Sequence, residues 1–547
     1  MTTRRRFTAL RAGVLTLGLA ALVGWGITDG AWGDRPTGAV PFADPSAPTS
    51  SSPAGGEPVE DAFVRSAALG CPGVDGIGGA VRAATGPPEL LAAAHAGGTA
   101  EVGLHIVGTS PEGTAGAPDA TLAAGGASQL LQLGADVGAV LEGGDVAAPG
   151  LVGGQLAVST GTGDRGALLA PCTQGSESLW LLAGDDGAGR SEQVVLTNPG
   201  TDPVQVELEV RDEDGPVEGA GDSGIVVPGG AQVVRVLDAL APGVAAPAVG
   251  VRSTGGPVVA HLLEREQDGT TDLGRSVSAA VADPARDLVV PALPTEDAEL
   301  TLRVLAPEAE ALVELRVLGE AGAAAPAEAA VRVPAGGTVD LPLEDLPEGV
   351  AGLRLRSDAP VTAAVLLRKV PDGDDPVAVD DAASTSAAPD DAASTSAAPD
   401  DAASTSAAPG EEQDTVVRPA GDLTWTGATV LTRTPVGMAV PPVPSALPDA
   451  DLALAVSAVD ATSAEVLWLD AEGAVVSEEI TLANDTSVRL EVPDGTAAVW
   501  VRSTGAVGIA AALHVSGQDA LGPYAASATL PAVPWTREVT GVLRQVP

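Results

Sequence analysis

From residue 176 onward, short apolar runs alternate with clusters of Gly, Pro, Asp and Ser, and within the runs apolar residues recur at every second position. A period of two is the mark of a β-strand with one buried side. The pattern predicts strands at 178–182, 194–197, 204–210, 225–227, 232–236, 248–252 and 258–264. A matching series follows at 300–304, 312–318, 330–333, 338–341, 352–356 and 361–367, and another at 452–456, 464–469, 479–482, 487–490, 497–502 and 508–514. Each series is anchored on one stretch: RSTGGPVVAHLLER at 252–265, RSDAPVTAAVLLRK at 356–369 and RSTGAVGIAAALHV at 502–515. The three align without a gap, so that Leu263, Leu367 and Leu513 coincide, as do His261, Val365 and Ala511. Each stretch reads as a strand, a tight turn and a second strand, which predicts a hairpin with one buried face.

Six or seven short strands per copy, separated by turn residues, fit a two-sheet sandwich better than a four-stranded propeller blade. The expected fold is therefore all-β, with tandem immunoglobulin-like β-sandwich repeats after an N-terminal signal or membrane helix. Repeat 1 is expected over 176–294, repeat 2 over 295–370 and repeat 3 over 422–547. Residues 61–175 show weaker alternation and read as an N-terminal β-rich domain, or as strands stapled onto repeat 1.

The ends of the chain and one internal segment break this pattern. Arg4, Arg5, Arg6 and Arg11 precede an uncharged run from 12 to 28, so 1–33 reads as a signal peptide or membrane anchor with the body outside the cytoplasm. Residues 34–60 are rich in Pro, Ser and Gly and read as a flexible stalk. The decapeptide DDAASTSAAP occurs three times at 380–409, and 371–415 holds twelve acidic residues and no basic one. With no apolar face to offset the entropy of ordering, 371–421 is expected to be a disordered acidic linker between repeats 2 and 3.

Composition narrows the partners. The chain has 547 residues and a formal charge of −45, so phosphate backbones repel it and nucleic acid is excluded as a partner. Aromatic residues make up 2%, which leaves Val, Leu and Ala to build the cores. The two cysteines, Cys71 and Cys172, stand too far apart for a zinc motif and suit a single disulfide in an oxidising compartment.

Candidate chemistry is sparse. Gly221-Asp222-Ser223-Gly224 matches the nucleophile motif of trypsin-like proteases, with His95 and Asp136 in similar settings to the base and orienting acid. Against this, Ser223 falls in a strand approach shared by the repeats, Ile225 stands where that family has a second Gly, and Ala96 replaces its cysteine. The expectation is no catalytic residue, with a secreted serine protease as the remote alternative. Asp212-Glu213-Asp214-Gly215 resembles the opening of a calcium loop but lacks the later ligands, and a hairpin explains it. No HxxxH or HExxH occurs, so neither metal nor cofactor is expected. His261 reads as a core histidine, and Trp180, Trp468 and Trp500 as core residues rather than a sugar-stacking platform.

The chain resembles an uncharacterised family of actinobacterial envelope proteins. Cys71-Pro72-Gly73, Cys172 ahead of the Trp180 strand, and Leu196-Thr197-Asn198-Pro199-Gly200 carry the resemblance. It implies an envelope location and transfers no catalytic residue. The functional expectation is a non-enzymatic envelope scaffold or binding protein, anchored to the cytoplasmic membrane through residues 12–28 or secreted. Its partner would be an envelope glycan or envelope protein. The alternative is an accessory or carbohydrate-binding module, for which exposed tryptophans on one flat face would speak.

Overall fold

The computed structural model describes residues 62–91, 100–109, 117–161, 163–369, 377–378, 416–417, 420–447 and 450–537. The expectations for 1–33, for 34–60, for His95 and for the decapeptides at 380–409 lie outside the described residues. No helix among the described residues is long and apolar enough to cross a membrane.

After β1 (Ala62–Phe63), the first sandwich contains β2 (Ser66–Cys71), β3 (Gly79–Ala84), β4 (Glu101–Val107), β5 (Ala120–Ala123), β6 (Ser128–Leu133), β7 (Gly138–Gly144), β8 (Val152–Ser159) and β9 (Gly166–Gln174). The second contains β10 (Ser178–Leu182), β11 (Arg190–Asn198), β12 (Val204–Asp212), β13 (Gly215–Val227), β14 (Ala231–Val236), β15 (Ala248–Thr254), β16 (Val259–Asp268) and β17 (Thr271–Ala279). The third begins with β18 (Ala285–Pro294), β19 (Glu299–Leu305), β20 (Ala311–Gly319), β21 (Gly322–Ala324), β22 (Ala330–Val333) and β23 (Thr338–Pro342). It continues with β24 (Val350–Lys369), a short pair β25 (Val377–Ala378) and β26 (Val416–Val417), and β27 (Asp422–Gly427). The fourth contains β28 (Val436–Ala439), β29 (Asp451–Ala458), β30 (Thr462–Asp470), β31 (Val475–Leu482), β32 (Thr486–Glu491), β33 (Thr496–Ser503), β34 (Ala510–Gln518) and β35 (Pro523–Thr529), and β36 (Thr536–Arg537) follows.

All four sandwiches share one strand order. Counting strands within a copy, one sheet runs 4-3-6-1 and the other 5-2-7-8, as in β13-β12-β15-β10 against β14-β11-β16-β17. In the third copy the fourth strand is split between β21 and β22, and the twenty-residue β24 serves as both sixth and seventh strands. The region 61–175 is thus a complete copy in its own right, rather than strands stapled onto its neighbour. Its sixth and seventh strands are joined by a 3-10 turn at Asp145–Ala147 instead of an Arg-Ser stretch, which hid the repeat from sequence alignment.

Two expected boundaries move. β18 pairs with β24, so it opens the third sandwich, although the pattern placed 285–294 in repeat 1. β27 also pairs with β24, from Ala364–Gly427 to Lys369–Asp422, so residue 422 does not begin repeat 3. The acidic stretch is therefore inserted between the seventh and eighth strands of the third sandwich and is not a linker between two repeats. A low-complexity run looks like a boundary, and the partner of the strand beyond it lies more than fifty positions back.

The Arg-Ser stretch is not a hairpin. β15 pairs with β10 and β12, while β16 pairs with β11 and β17, so the stretch is an arch that carries the chain from one sheet to the other. Its two invariant residues have separate work. Arg252, Arg356 and Arg502 stand opposite Glu207, Glu314 and Glu465 on the third strand, a cross-strand pairing of opposite charges. Ser253, Ser357 and Ser503 donate their hydroxyls to the carbonyls of Gly256, Ala359 and Val507 at 2.6, 2.5 and 2.6 Å, closing the arch. Ser503→Ala is expected to lower the unfolding free energy by about 1 kcal/mol, the usual net worth of such a bond. A thermal melt reads it.

Both faces of the seventh strand are buried, because the outer face of each 5-2-7-8 sheet packs on the preceding sandwich. The gap-free alignment also misplaces one copy. In β24 and β34, Val365, Leu367, Ala511 and Leu513 face their own cores, whereas in β16 the inward residues are Ala260 and Leu262. The second arch is out of phase by one residue, and a one-residue slip turns every side chain to the other face. His261 and Leu263 consequently point out of their own sandwich and against the first.

Contact passes from each sandwich to the next and from the fourth back to the first. Leu168 and Ala170 meet Leu263 and Val277, and Ala364, Leu366 and Trp425 join the core cluster of the second sandwich. His514 Nε2 lies 2.6 Å from the Ala292 carbonyl, and Trp500 Nε1 donates to the Gly150 carbonyl at 2.9 Å. A Cβ on Gly154 of β8 would lie 1.9 Å from the Ala439 carbonyl, so only glycine lets the first and fourth sandwiches approach this closely. β1 and β36 pair near the two ends of the described chain. The four sandwiches form a closed circuit.

Cys71 ends β2 and Cys172 lies on β9, and their sulfurs are bonded. The disulfide ties the first strand of the first sandwich to its eighth. It spans 101 residues, so the chain-entropy estimate of its contribution is about 4–5 kcal/mol. Reductant, or the double substitution Cys71→Ser and Cys172→Ser, is expected to lower the urea midpoint accordingly.

Candidate functional site

The four eighth strands β9, β17, β27 and β35 meet at the centre of the circuit. Their contacting residues are small, among them Ala167, Gly274, Ser276, Thr424, Ala525 and Ser527. Gly274 has φ 123°, and a Cβ there would lie 2.5 Å from the Leu423 nitrogen and 2.6 Å from the Asp422 Cα. Any other residue would force the strands apart.

Asp422 sits where they converge, with no exposed surface. Its Oδ2 accepts the backbone N–H groups of Ala167 and Ala525, both at 3.0 Å. Its Oδ1 accepts those of Arg275 at 3.2 Å and Leu423 at 3.0 Å. One carboxyl thus takes a donor from each of the four sandwiches. Burial pushes it up to about 7, against the pull of the four N–H donors towards the ionised form.

Beyond Asp422, towards the N-terminal ends of these strands, lies a charged layer. The buried Arg165 donates to the carbonyls of Gly421 and Pro523 at 3.1 and 2.9 Å and to Asp519 at 3.1 Å, and its guanidinium covers the Tyr524 ring at 3.7 Å. Burial pushes the Asp519 carboxyl up, but the hydrogen bonds from Tyr524 and Arg165 outweigh it and hold the group below its usual value. Arg275 binds Asp164 and the Asp75 carbonyl. Glu264, fully enclosed, accepts from Arg190 at 2.5 Å and from Trp425 Nε1 at 2.7 Å. Burial still raises its pKa, with Arg190 pulling the other way. Towards the C-terminal ends, a cavity of about 180 Å³ opens among Leu169, Pro171, Val277, Trp425, Ser527 and Thr529.

The protease constellation is not assembled among the described residues. Asp136 occupies a left-handed turn of the first sandwich, φ 63°, and its Oδ1 accepts the Gly76 N–H at 2.9 Å. Ser223 lies on β13 of the second sandwich, where the neighbouring Asp222 pairs with Arg235 at 2.8 Å. No hydrogen bond joins Asp136 to Ser223, and His95 is outside the described residues. Asp212 and Gly215 close a hairpin in which the Asp214 N–H is held by Asp212 at 2.9 Å. No group of three metal-ligating side chains that could hold an ion occurs among the described residues. Trp180, Trp425, Trp468 and Trp500 are buried and form no exposed platform.

Asp422, Arg165 and Arg275 escaped the sequence reading because no motif surrounds them. The one available signal was an acid or Arg heading a run of small residues, in a chain where small residues are everywhere. Asn198 was visible only as part of Asn-Pro-Gly. Its side chain bonds the carbonyls of Asp202 and Val227 at 2.8 and 3.0 Å and accepts the Gly200 N–H at 2.9 Å, which locks a loop.

Four like-ordered β-sandwiches closed around a buried polar axis define a tandem-sandwich protein, with the described residues from 62 to 537 in one compact unit. The chain belongs to the family of unknown function DUF5719, whose model matches residues 134–435. No curated protein matches it. Among solved structures it is similar to the crystal structure of a tetra-tandem repeat in the extending region of a large adhesion protein. Identity there is 15%, coverage is 79% of this chain and 92% of that one, and the TM-score is 0.10.

Proposed function

We propose that this protein is a non-enzymatic cell-envelope scaffold, held at or released from the outer side of the cytoplasmic membrane, that presents a binding surface on a rigid core. The observation that carries this reading is the hub. Arg165, Arg275, Glu264, Asp422 and Asp519 are all engaged in hydrogen bonds that join one sandwich to another, so they hold shape and are not poised for chemistry. The disulfide supports an oxidising compartment. The N-terminal run at 12–28 supports membrane attachment. The buried tryptophans weaken the carbohydrate-module alternative.

Three measurements test the reading. An alkaline phosphatase fused after Pro547 should be active in the native host, and non-reducing peptide mapping should recover the Cys71–Cys172 crosslink. An inactive fusion with both thiols free would overturn the location. A fluorophosphonate serine probe should leave the protein unlabelled. Labelling that disappears in Ser223→Ala would establish the protease instead.

A further inference from the structure

Between the first and fourth sandwiches the circuit leaves a cleft of about 390 Å³, within the range of small-ligand sites. Arg82 of β3 lines it on one side, and Pro441, Pro442, Val443 and Pro493 on the other. Glu491 and Asp494 are also in its lining and are exposed. Arg82 projects from the outer face of its strand, since Val81 and Ala83 on either side are enclosed in the first core.

The guanidinium of Arg82 has no ion pair or hydrogen bond among the described residues, and its Nε is buried without a partner. Glu472 acts on it through its field alone, opposing the larger effect of burial, which lowers the pKa. The chain has 73 acidic residues against 28 basic ones, so carboxylates are not scarce. The fully buried guanidiniums, Arg165, Arg275 and Arg303, spend their donors on carbonyls and carboxylates of their own and neighbouring sandwiches. Half-buried Arg82 makes no such bond and lines an open cleft.

We propose that this cleft binds the C-terminal end of an extended peptide. The terminal carboxylate lies on the Arg82 fork, a geometry that guanidinium matches with two parallel hydrogen bonds. The last apolar side chain packs on the proline and valine wall. A cationic group upstream meets Glu491 and Asp494, whose charge at the same time disfavours a phosphate dianion. This deepens the scaffold reading and rests on it, but the fusion and serine-probe assays above do not involve the cleft, so the two fail separately.

The test is calorimetric titration of the full chain with the tripeptide Lys-Ala-Val, as free acid and as C-terminal amide. The free acid is expected to bind, and the amide to bind about tenfold more weakly or worse, as for the loss of a charge-assisted pair. Arg82→Gln should abolish the difference, and Arg82→Lys, a charge without the fork, should fall between. Because Arg82→Gln also touches the packing of the first sandwich on the fourth, the exposed pair Glu491→Gln with Asp494→Asn gives an independent reading. It should remove the preference for Lys-Ala-Val over Ala-Ala-Val while the melting curve stays put. Equal binding of acid and amide, binding undiminished in Arg82→Gln, no binding by the free acid, or inorganic phosphate binding as well as the peptide each overturns the proposal.

Discussion

Asp422→Ala is expected to destabilise the protein by on the order of 5 kcal/mol and to loosen all four sandwiches in one transition. The substitution strands four buried N–H groups, those of Ala167, Arg275, Leu423 and Ala525, which have this one carboxyl as acceptor. Each orphaned buried donor costs about 1–3 kcal/mol, reduced where a water enters the space the carboxyl leaves. Asp422→Asn keeps the shape but turns an NH2 towards two N–H donors, and should recover only part of the loss. Urea unfolding followed by tryptophan fluorescence measures both, and an Asp422→Ala variant within 1 kcal/mol of wild type would refute the keystone role. The pH dependence has a definite sign. The folded pKa, about 7, lies above the ordinary 3.8, so the folded state holds this proton more tightly than the unfolded chain. The contribution is then complete below about pH 4 and is lost as pH rises through 7. Asp422→Asn removes that slope.

His261→Gln combined with His514→Gln is expected to protect the protein against acid. Both imidazoles are fully buried between sandwiches, with Nε2 on the Pro171 carbonyl at 3.4 Å and on the Ala292 carbonyl at 2.6 Å, and with Nδ1 buried and unpartnered. A protonated ring would strand its Nδ1–H. Burial lowers each pKa from 6.5 to about 4, and for His514 the charge of Arg489 adds to it. The unfolded chain therefore takes up these protons first, so stability present above pH 6.5 is lost as pH falls to 4. The loss is about 3 kcal/mol per histidine, or about 6 for the pair. It runs opposite to the Asp422 contribution over the same window, so the double variant must be compared with wild type at each pH. A wild-type and variant difference that stays constant from pH 7 to pH 4 would show that neither ring resists protonation.

Strand and turn were legible along most of the chain. The alternation at 204–210 and 312–318 appears as β12 and β20, whose residues alternate between buried and outward positions. The Arg-Ser stretch marked the same structural position in three copies. Its partner strands were not legible, and so an arch was taken for a hairpin: a strand's own residues specify its pleat, while the neighbour it bonds can lie anywhere along the chain. His261 shows the same limit at the scale of one residue. Nothing in 252–265 announces that this arch is one residue out of phase, and that slip moved the imidazole from an interior to an interface.

By itself the sequence determined that the chain is built from repeated two-sheet units, that Cys71 and Cys172 are matched for one bond, and that the chain carries a formal charge of −45. Those follow from local period, composition and charge, which need no neighbour. Only the tertiary structure decided that 61–175 is a fourth copy, that β27 completes the third, and that the copies close on one another around Asp422. The first depends on strand pairings such as Ala80 with Leu156 and Ser66 with Gly144, the second on pairing across the acidic insertion, and the third on bonds from Asp422 to residues a hundred or more positions away, so no short window of sequence contains both partners.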